Sequence, residues 1–304
     1  MEYLFHLAIL ICIYTILAQS LSLPAGYSGQ MSLAHAGFYG IGAYTTALLS
    51  VNGDFPPLFN LFIAMLLSCI IAYVVSIVAV HTIDDYYIII TLGIQVVIFS
   101  IMNNCQNVTN GPLGIPSIPP FSIFGFKFDD NIPFLLLSAS FSVLIWFLLK
   151  NIEKSPFGRV LRALSEDEIY TKSLGKNVSQ AKIVSFVVSG MMASIAGVLY
   201  AHYITYIDPT SFTVDESIFI LSIIIIGGMR NLRGIFFATA FLILFPEILR
   251  FIGMPSAIAA NMRQIFYGIA LVFVVYWNRT ERTTGNTTMD KSEKSSNYHH
   301  FSHY

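Results

Sequence analysis

Few residues of this chain could do chemistry, and they stand inside long apolar runs. Gln30, Ser32 and His35 lie in PAGYSGQMSLAHAGFYGIGAY, residues 24–44, where Leu- and Ile-rich sequence gives way to small and polar residues. Thr91, Gly93 and Gln95 interrupt a second apolar run, 86–103, that ends in Asn103-Asn104. A lipid-facing helix avoids such polar groups, so they point to a packed interior or to a watery path. His35 is open to both readings, a packed histidine bonding a neighbouring carbonyl or a part of a substrate path. Pro24, Gly26 and Gly29 argue for unwound backbone, followed by a helix starting near Ser32. Irregular backbone is tolerated at membrane depth only where it is buried in protein or lines a cavity. Ala36, Gly40 and Tyr44, with Gly37 and Ala43–Ala47, put small residues at helical spacing, which lets helices approach closely. Helix packing alone also accounts for these glycines.

A different chemistry, that of docking, is carried by residues 150–182, KNIEKSPFGRVLRALSEDEIYTKSLGKNVSQAK. Seven of the chain's 16 Lys and Arg residues sit there: Lys150, Lys154, Arg159, Arg162, Lys172, Lys176 and Lys182. Such an excess marks a cytoplasmic loop, because cations cross a membrane at high cost during insertion. Ser155-Pro156 reads as an N-cap with Pro at the first helical position. Ser165-Glu166-Asp167-Glu168 reads as a capping box, Ser165 with Glu168, opening a helix of about nine residues that is acidic at its positive end. Gly175 supplies the left-handed stop, and Asn177 with Gln180 caps the helix that follows. A plain connector has no use for three sets of caps, so this segment is expected to dock a soluble partner.

The elements that must hold these residues are membrane helices. Of the 304 residues, 55% are hydrophobic and 11% charged, against about 25% charged in a soluble domain. The net charge of −1 says little, since the charges are confined to loops and tail. Cys12, Cys69 and Cys105 have no metal spacing and make no disulfide framework. Apolar runs near 3–23, 33–50, 58–80, 86–103, 132–150, 183–204, 215–229, 234–252 and 261–277 predict an all-α polytopic membrane protein of about nine spans, with broken Gly-rich helices. The first run starts almost at Met1 and is expected to be a span rather than a removed signal peptide. With 150–182 inside, alternation puts 104–131 and 205–214 outside and 230–233 inside. Arg230, Arg233, Arg279 and Arg282 then also fall inside, in accord with the positive-inside rule. The division expected is a permease domain over 1–277 and a disordered cytoplasmic tail over 278–304, whose His299, His300 and His303 have nothing to fix them as metal ligands.

Other interruptions have structural readings. GGMRNLRG, 227–234, is either a tight turn or the tip of a broken helix. Together with 24–44 it raises an internal repeat around a central path. The segment 105–131 carries Pro112, Pro116, Pro119 and Pro120, which stiffen it into a fixed outer surface suited to a soluble binding protein or to no partner at all. Ser189, Ala193, Gly197 and Ala201 form a close-packing seam. Asp208 before Pro209, and Asp215 before an apolar run, read as turn and N-cap residues.

The sequence contains no GxxxxGK[ST] phosphate loop, no nucleophile elbow, no HExxH and no pair of carboxylates within a span. Metal, P-loop ATPase and nucleophilic chemistry therefore have no residues to carry them, which disfavours a membrane enzyme. A stand-alone secondary carrier or channel would have only Gln30, His35 and Gln95 for ion coupling.

The colinear set of segments resembles the permease subunits of ABC importers, specifically the LivM-type branched-chain amino acid family. GYSGQMSLAHAGFYGIGAYTTALL (26–49) is similar to that family's N-terminal signature, and DDYYIIITLG (84–93) and NVTNGPLGIP (107–116) to its middle segments. Residues 155–202 look like its coupling loop and following helix, and 206–250 like its C-terminal block. The resemblance implies a heterodimeric permease of the bacterial inner membrane. It would work with ATP-binding cassette subunits and a periplasmic or lipid-anchored substrate-binding protein, and with no nucleic acid. ATP and Mg would be bound by the partner ATPase, with no cofactor in this chain. It implies ATPase coupling through 155–182, with Arg159, Glu166, Asp167, Glu168 and Gly175; the residues themselves make Gln30, Ser32, His35, Gly40, Thr91 and Gln95 the candidates for a translocation path. Two positions depart from the pattern: Ser165 stands where a basic residue is common, and 109–111 reads Thr-Asn-Gly where a Gly-Gly pair is usual. Branched-chain or other hydrophobic amino acids are the implied cargo, with urea, small amides and other amino acids the alternatives.

Overall fold

The computed structural model describes residues 2–53, 55–80, 82, 84–123, 126–251 and 268. The predicted run at 261–277 and the tail 278–304 lie outside the described residues, apart from residue 268. Residues 1–248 form one compact unit and 249–304 a second.

Helix α1, Glu2–Ser22, continues into a π-helical turn, Leu23–Tyr27. An unwound stretch leads to α2, His35–Gly53, and then come α3, Pro57–Ala79, and α4, Asp84–Asn104. A connecting segment holds the one-turn helix α5, Gln106–Thr109, and a small antiparallel hairpin of β1, Ser122–Ile123, with β2, Phe126–Lys127. Next are α6, Asn131–Lys154, the short helices α7, Pro156–Glu166, and α8, Glu168–Ser173, and α9, Val178–Ile204. A 3-10 turn, Pro209–Phe212, precedes α10, Val214–Gly227, and α11, Leu232–Phe251.

Each of the eight predicted runs within the described residues contains a helix. Only five are long and apolar enough to cross a membrane: Glu2–Tyr27, Pro57–Ala79, Tyr86–Asn104, Asn131–Lys154 and Val178–Ile204. The count of about nine is therefore not reached among the described residues. Helix α10 has 14 residues, about 21 Å of helix at 1.5 Å per residue, short of a 30 Å hydrocarbon core.

Along α3 the buried face is built from small residues and the outer face from large ones. On α3, Ala64, Ser68, Ala72 and Ala79 are buried, whereas Phe62, Ile70, Tyr73, Val74 and Val78 are exposed. Ser68 Oγ donates to Gly190 O of α9 at 2.8 Å. Helix α2 crosses α9 so closely that a Cβ on Gly42 would run into Ser194 O, and one on Gly197 into Tyr39 O. The predicted seam on α9 is this crossing, where backbones meet because side chains give no hydrophobic drive between helices in lipid.

The Pro-rich segment 105–131 is pinned to the end of α9. Ile115 N donates to Ile207 O at 2.9 Å, Ile118 N to Thr205 O at 3.0 Å, and His202 Nδ1 to Pro119 O at 2.7 Å. Asn110 and Gly111 are both left-handed, at φ 57°. Asparagine tolerates this conformation best after glycine, so the Thr-Asn-Gly departure is accommodated. Asp208 accepts from Thr210 Oγ1 and Ser211 Oγ at 2.7 and 2.8 Å, as its turn reading requires. Asp215, by contrast, lies inside the first turn of α10, and Thr213 holds the cap position.

Candidate functional site

The three caps of 150–182 divide one expectation from the rest. Ser155 Oγ accepts from Gly158 N at 3.1 Å, with Pro156 at the first helical position. Asn177 Oδ1 accepts from Gln180 N at 3.1 Å, and Gly175 stands at φ +72°. The expected capping box is absent. Ser165 lies in the last turn of α7, where its Oγ donates to Arg162 O at 2.8 Å, and Asp167 caps α8, its Oδ1 accepting from Tyr170 N at 2.9 Å. The cause is the phase of α7, whose buried Gly158, Leu161 and Leu164 carry the helix through to Glu166. The second helix therefore has six residues rather than about nine.

The five expected coupling residues have separate positions. Arg159 is exposed on α7 and Glu166 on its last turn. Asp167 is occupied as a cap. Glu168 turns back onto the membrane bundle, 2.6 Å from Lys182 Nζ of α9, with Lys172 on its other oxygen at 3.4 Å. Partial burial opposes ionisation of Glu168, but the hydrogen bonds and charges of Lys182 and Lys172 outweigh it and hold its carboxyl below the ordinary value. With the acidic groups turned inward or half-used, the outward face of α8 is apolar. Ile169 is 82% exposed, Tyr170 61% and, past the helix end, Leu174 57%. Sequence reading missed this trio. The available signal was an Ile-Tyr pair and a Leu among charges, with only Thr171 of α8 buried.

The expected path residues Gln30, Ser32, His35, Thr91 and Gln95 are buried, and so is Gly40. The unwound segment 28–34 survives among helices because side chains take up its backbone groups. Leu33 N donates to Thr91 Oγ1 of α4, Ala34 N to Ser32 Oγ and, in the first turn of α2, Ala36 N to Ser217 Oγ of α10, each at 3.1 Å. Helix α2 begins at His35, three residues later than Ser32. Gln95 Nε2 donates to Phe212 O at 2.8 Å, and Gln30 Oε1 lies 3.0 Å from Ser28 Oγ, which in turn is 3.1 Å from Ser185 Oγ. His35 Nε2 is 2.6 Å from Ser189 Oγ. Ser189 spends its single proton on Ser20 O, also at 2.6 Å, so Nε2 carries the proton of a neutral imidazole and donates it. A Cβ on Gly40 would lie 2.8 Å from Met102 Cε and 3.0 Å from Phe212 Cγ.

The two interrupted segments meet. GGMRNLRG forms a tight turn, Asn231 Oδ1 accepting from Gly234 N at 3.1 Å to cap α11. Arg230 Nε donates to Gly26 O at 2.7 Å, and a Cβ on Gly26 would run into Met229 O. The same guanidinium donates to Ser165 Oγ and stands 3.9 Å from Glu166. Arg230 thus joins the π turn, the end of α7 and the α10–α11 turn, and the small Ser165 is what admits it.

The whole of this arrangement falls within a family model described as the branched-chain amino acid transport system / permease component, matched over residues 3–275. The chain belongs to that family. Relatives of this permease family include the high-affinity branched-chain amino acid transport system permease protein LivM of Salmonella typhimurium, 32% identical over 267 residues, covering 80% of this chain and 63% of that protein. The Escherichia coli LivM gives the same identity and coverage. The probable LivM of Methanocaldococcus jannaschii is 26% identical over 257 residues, 73% of this chain and 74% of that protein. The chain thus spans somewhat less than two thirds of the enterobacterial permeases it resembles. No solved structure matches it. Family and fold together make this a multi-pass membrane protein of the permease class.

Proposed function

We propose that this permease is the membrane-spanning subunit of an ATP-driven importer for branched-chain or other hydrophobic amino acids, resident in the bacterial inner membrane. In this reading ATP-binding cassette subunits supply the energy and bind ATP and Mg, a second permease subunit completes the pathway, and a periplasmic or lipid-anchored protein delivers the substrate. The observation that carries it is the 150–182 loop: two capped helices, locked to the bundle by Glu168–Lys182, presenting Ile169, Tyr170 and Leu174 to solvent. Exposed apolar side chains on a fixed, charge-rimmed element are the composition of a protein-docking surface. ATP binding in the partner would push on α7 and α8, and Arg230 would pass the displacement to the broken segment at Gly26. Gln30, Ser32, His35, Gly40, Thr91 and Gln95 would then line or brace the path by holding the unwound backbone in one of two arrangements.

The test is co-purification. Detergent-solubilised wild-type protein should retain an ATPase subunit, and a chain bearing Ile169→Asp with Tyr170→Asp should lose it while keeping its size-exclusion profile. Retention of no ATPase by the wild type would sink the reading.

A further inference from the structure

We propose that the gap between α1, α6 and α11 is a binding site for an anionic, hydroxyl-bearing phospholipid of the phosphatidylglycerol class. Helix α1 packs along α6. Tyr3 OH donates to Glu247 and so ties α11 to α1 at one end. At the other end α11 stands off, leaving a cavity of about 360 Å³ lined by Gln19 of α1, Val143 and Trp146 of α6, and Arg233, Phe236 and Phe237 of α11.

Three features specify the occupant. Arg233 is exposed in the first turn of α11, and among the described residues no carboxylate pairs with it. The positive end of the α11 dipole adds to its charge, so this mouth of the gap calls for an anion. Val143, Trp146, Phe236 and Phe237 then wall the cavity with apolar surface, which calls for an acyl chain. Gln19 is 2% exposed and lines the same cavity, yet among the described residues its Oε1 has no hydrogen-bond partner. A buried amide oxygen costs stability until a donor reaches it, and the headgroup hydroxyls of phosphatidylglycerol are donors. A phosphate, a hydroxyl and an acyl chain on one molecule describe a bilayer lipid, and a basic pocket between helices is a recognised setting for one. A zwitterionic phosphatidylcholine offers the chain without the net charge or the hydroxyls.

The test uses the full chain in mild detergent, exchanged against phosphatidylglycerol or phosphatidylcholine, with retained lipid counted by native mass spectrometry. One phosphatidylglycerol per chain is expected, favoured over phosphatidylcholine by about fivefold for a single basic residue. Arg233→Gln should remove most of that preference and Arg233→Lys keep most of it. Gln19→Leu should lower retention of phosphatidylglycerol alone, and Val143→Trp, which fills the gap, should lower retention of both lipids. Equal retention of the two lipids by the wild type, or a preference untouched by Arg233→Gln, would overturn the proposal. So would a wild-type dimer that Val143→Trp converts to monomer, since a second copy would then be what covers the gap.

Discussion

Arg230 Nε donates to the carbonyl of Gly26 at 2.7 Å, across 204 positions of sequence. The carbonyl is available because it belongs to the π turn that ends α1, where the α-helical ladder gives way. The guanidinium can reach it because Gly26 has no Cβ to strike Met229 O. Its remaining nitrogens face Ser165 and Glu166, so one side chain ties the end of α7 to the π turn just before the unwound segment. Arg230 Cγ lies 3.4 Å from where a Gly26 Cβ would stand, so the stem packs there as the head bonds.

Removal of this link is the first prediction. Arg230→Ala should cost about 1 kcal/mol of stability, at the low end for a charged hydrogen bond because the group is half-exposed. On the proposed importer function, amino acid uptake should fall much further, by at least fivefold, while ATP hydrolysis by the proposed partner continues. Arg230→Lys, a single point charge without the planar fork, should recover the stability but only part of the uptake. Parallel loss of hydrolysis and uptake in Arg230→Ala would reduce the residue to scaffold.

Acid should loosen α8. The carboxyl of Glu168 is held below its ordinary value of 4.5 by Lys182 and Lys172, so the folded chain binds this proton less readily than the unfolded one. The pair's stabilisation is complete above the ordinary value and is lost as pH falls through 4.5 toward the lowered one. Wild type should therefore exceed Glu168→Gln in stability at pH 7, by no more than about 1 kcal/mol given the exposure, read as a higher melting temperature. The difference should close below pH 4.5. A difference that widens in acid would contradict the assignment.

How far the sequence foretold this structure depends on the range of the interaction. Ser155, Gly175 and Asn177 were legible because a cap is decided within three or four residues. The break at 24–34 was legible because Pro and small residues interrupt a Leu- and Ile-rich run. Two overlapping cap signals, Ser165 and Asp167, could not be ranked locally, since the buried face of α7 chooses between them. The inward turn of Glu168 depends on Lys182, 14 residues away and one helix later. Arg230 on Gly26, and Gln95 on Phe212, obey no local periodicity at all. Of the residues read as path candidates, Thr91 of α4 takes up Leu33 N and Ser32 takes up Ala34 N in the unwound segment, while Gln95 bonds Phe212 O outside it.

The glycines separate into those that permit contact and those that do not. Gly42→Val and Gly197→Val should each prevent α2 from seating on α9, because the obstacles are backbone atoms of Ser194 and Tyr39 that have nowhere to move. Overpacking of this kind costs about 1–3 kcal/mol when side chains can adjust, and more here, so the folded yield in membranes should drop severalfold. Gly40→Leu should do the same against Met102 and Phe212, with partial tolerance because Met102 is flexible. Gly93→Ala, whose Cβ would meet no atom of the described residues within 4 Å beyond its chain neighbours and its own helix backbone, should instead stabilise α4 by about 0.5–1 kcal/mol from helix propensity. Thermal unfolding of the four variants in one detergent ranks them.

The docking surface makes the last prediction, and it departs from what the acidic cluster alone suggested. Reversing Glu166, Asp167 and Glu168 together would remove the α8 cap and the Lys182 pair along with any partner contact, so loss of binding would not say which mattered. Single changes separate the roles. Asp167→Ala should cost about 1 kcal/mol through the lost cap, with α8 fraying but partner affinity reduced only in proportion. Ile169→Asp alters a side chain that is 82% exposed. It should leave melting unchanged within about 0.5 kcal/mol and yet lower ATPase affinity by at least tenfold, as truncating a buried interface anchor does. Affinity measured by titrating purified ATPase onto permease in nanodiscs distinguishes the two. Equal losses from Asp167→Ala and Ile169→Asp would mean that the fold of the loop, rather than its apolar face, is what the partner reads.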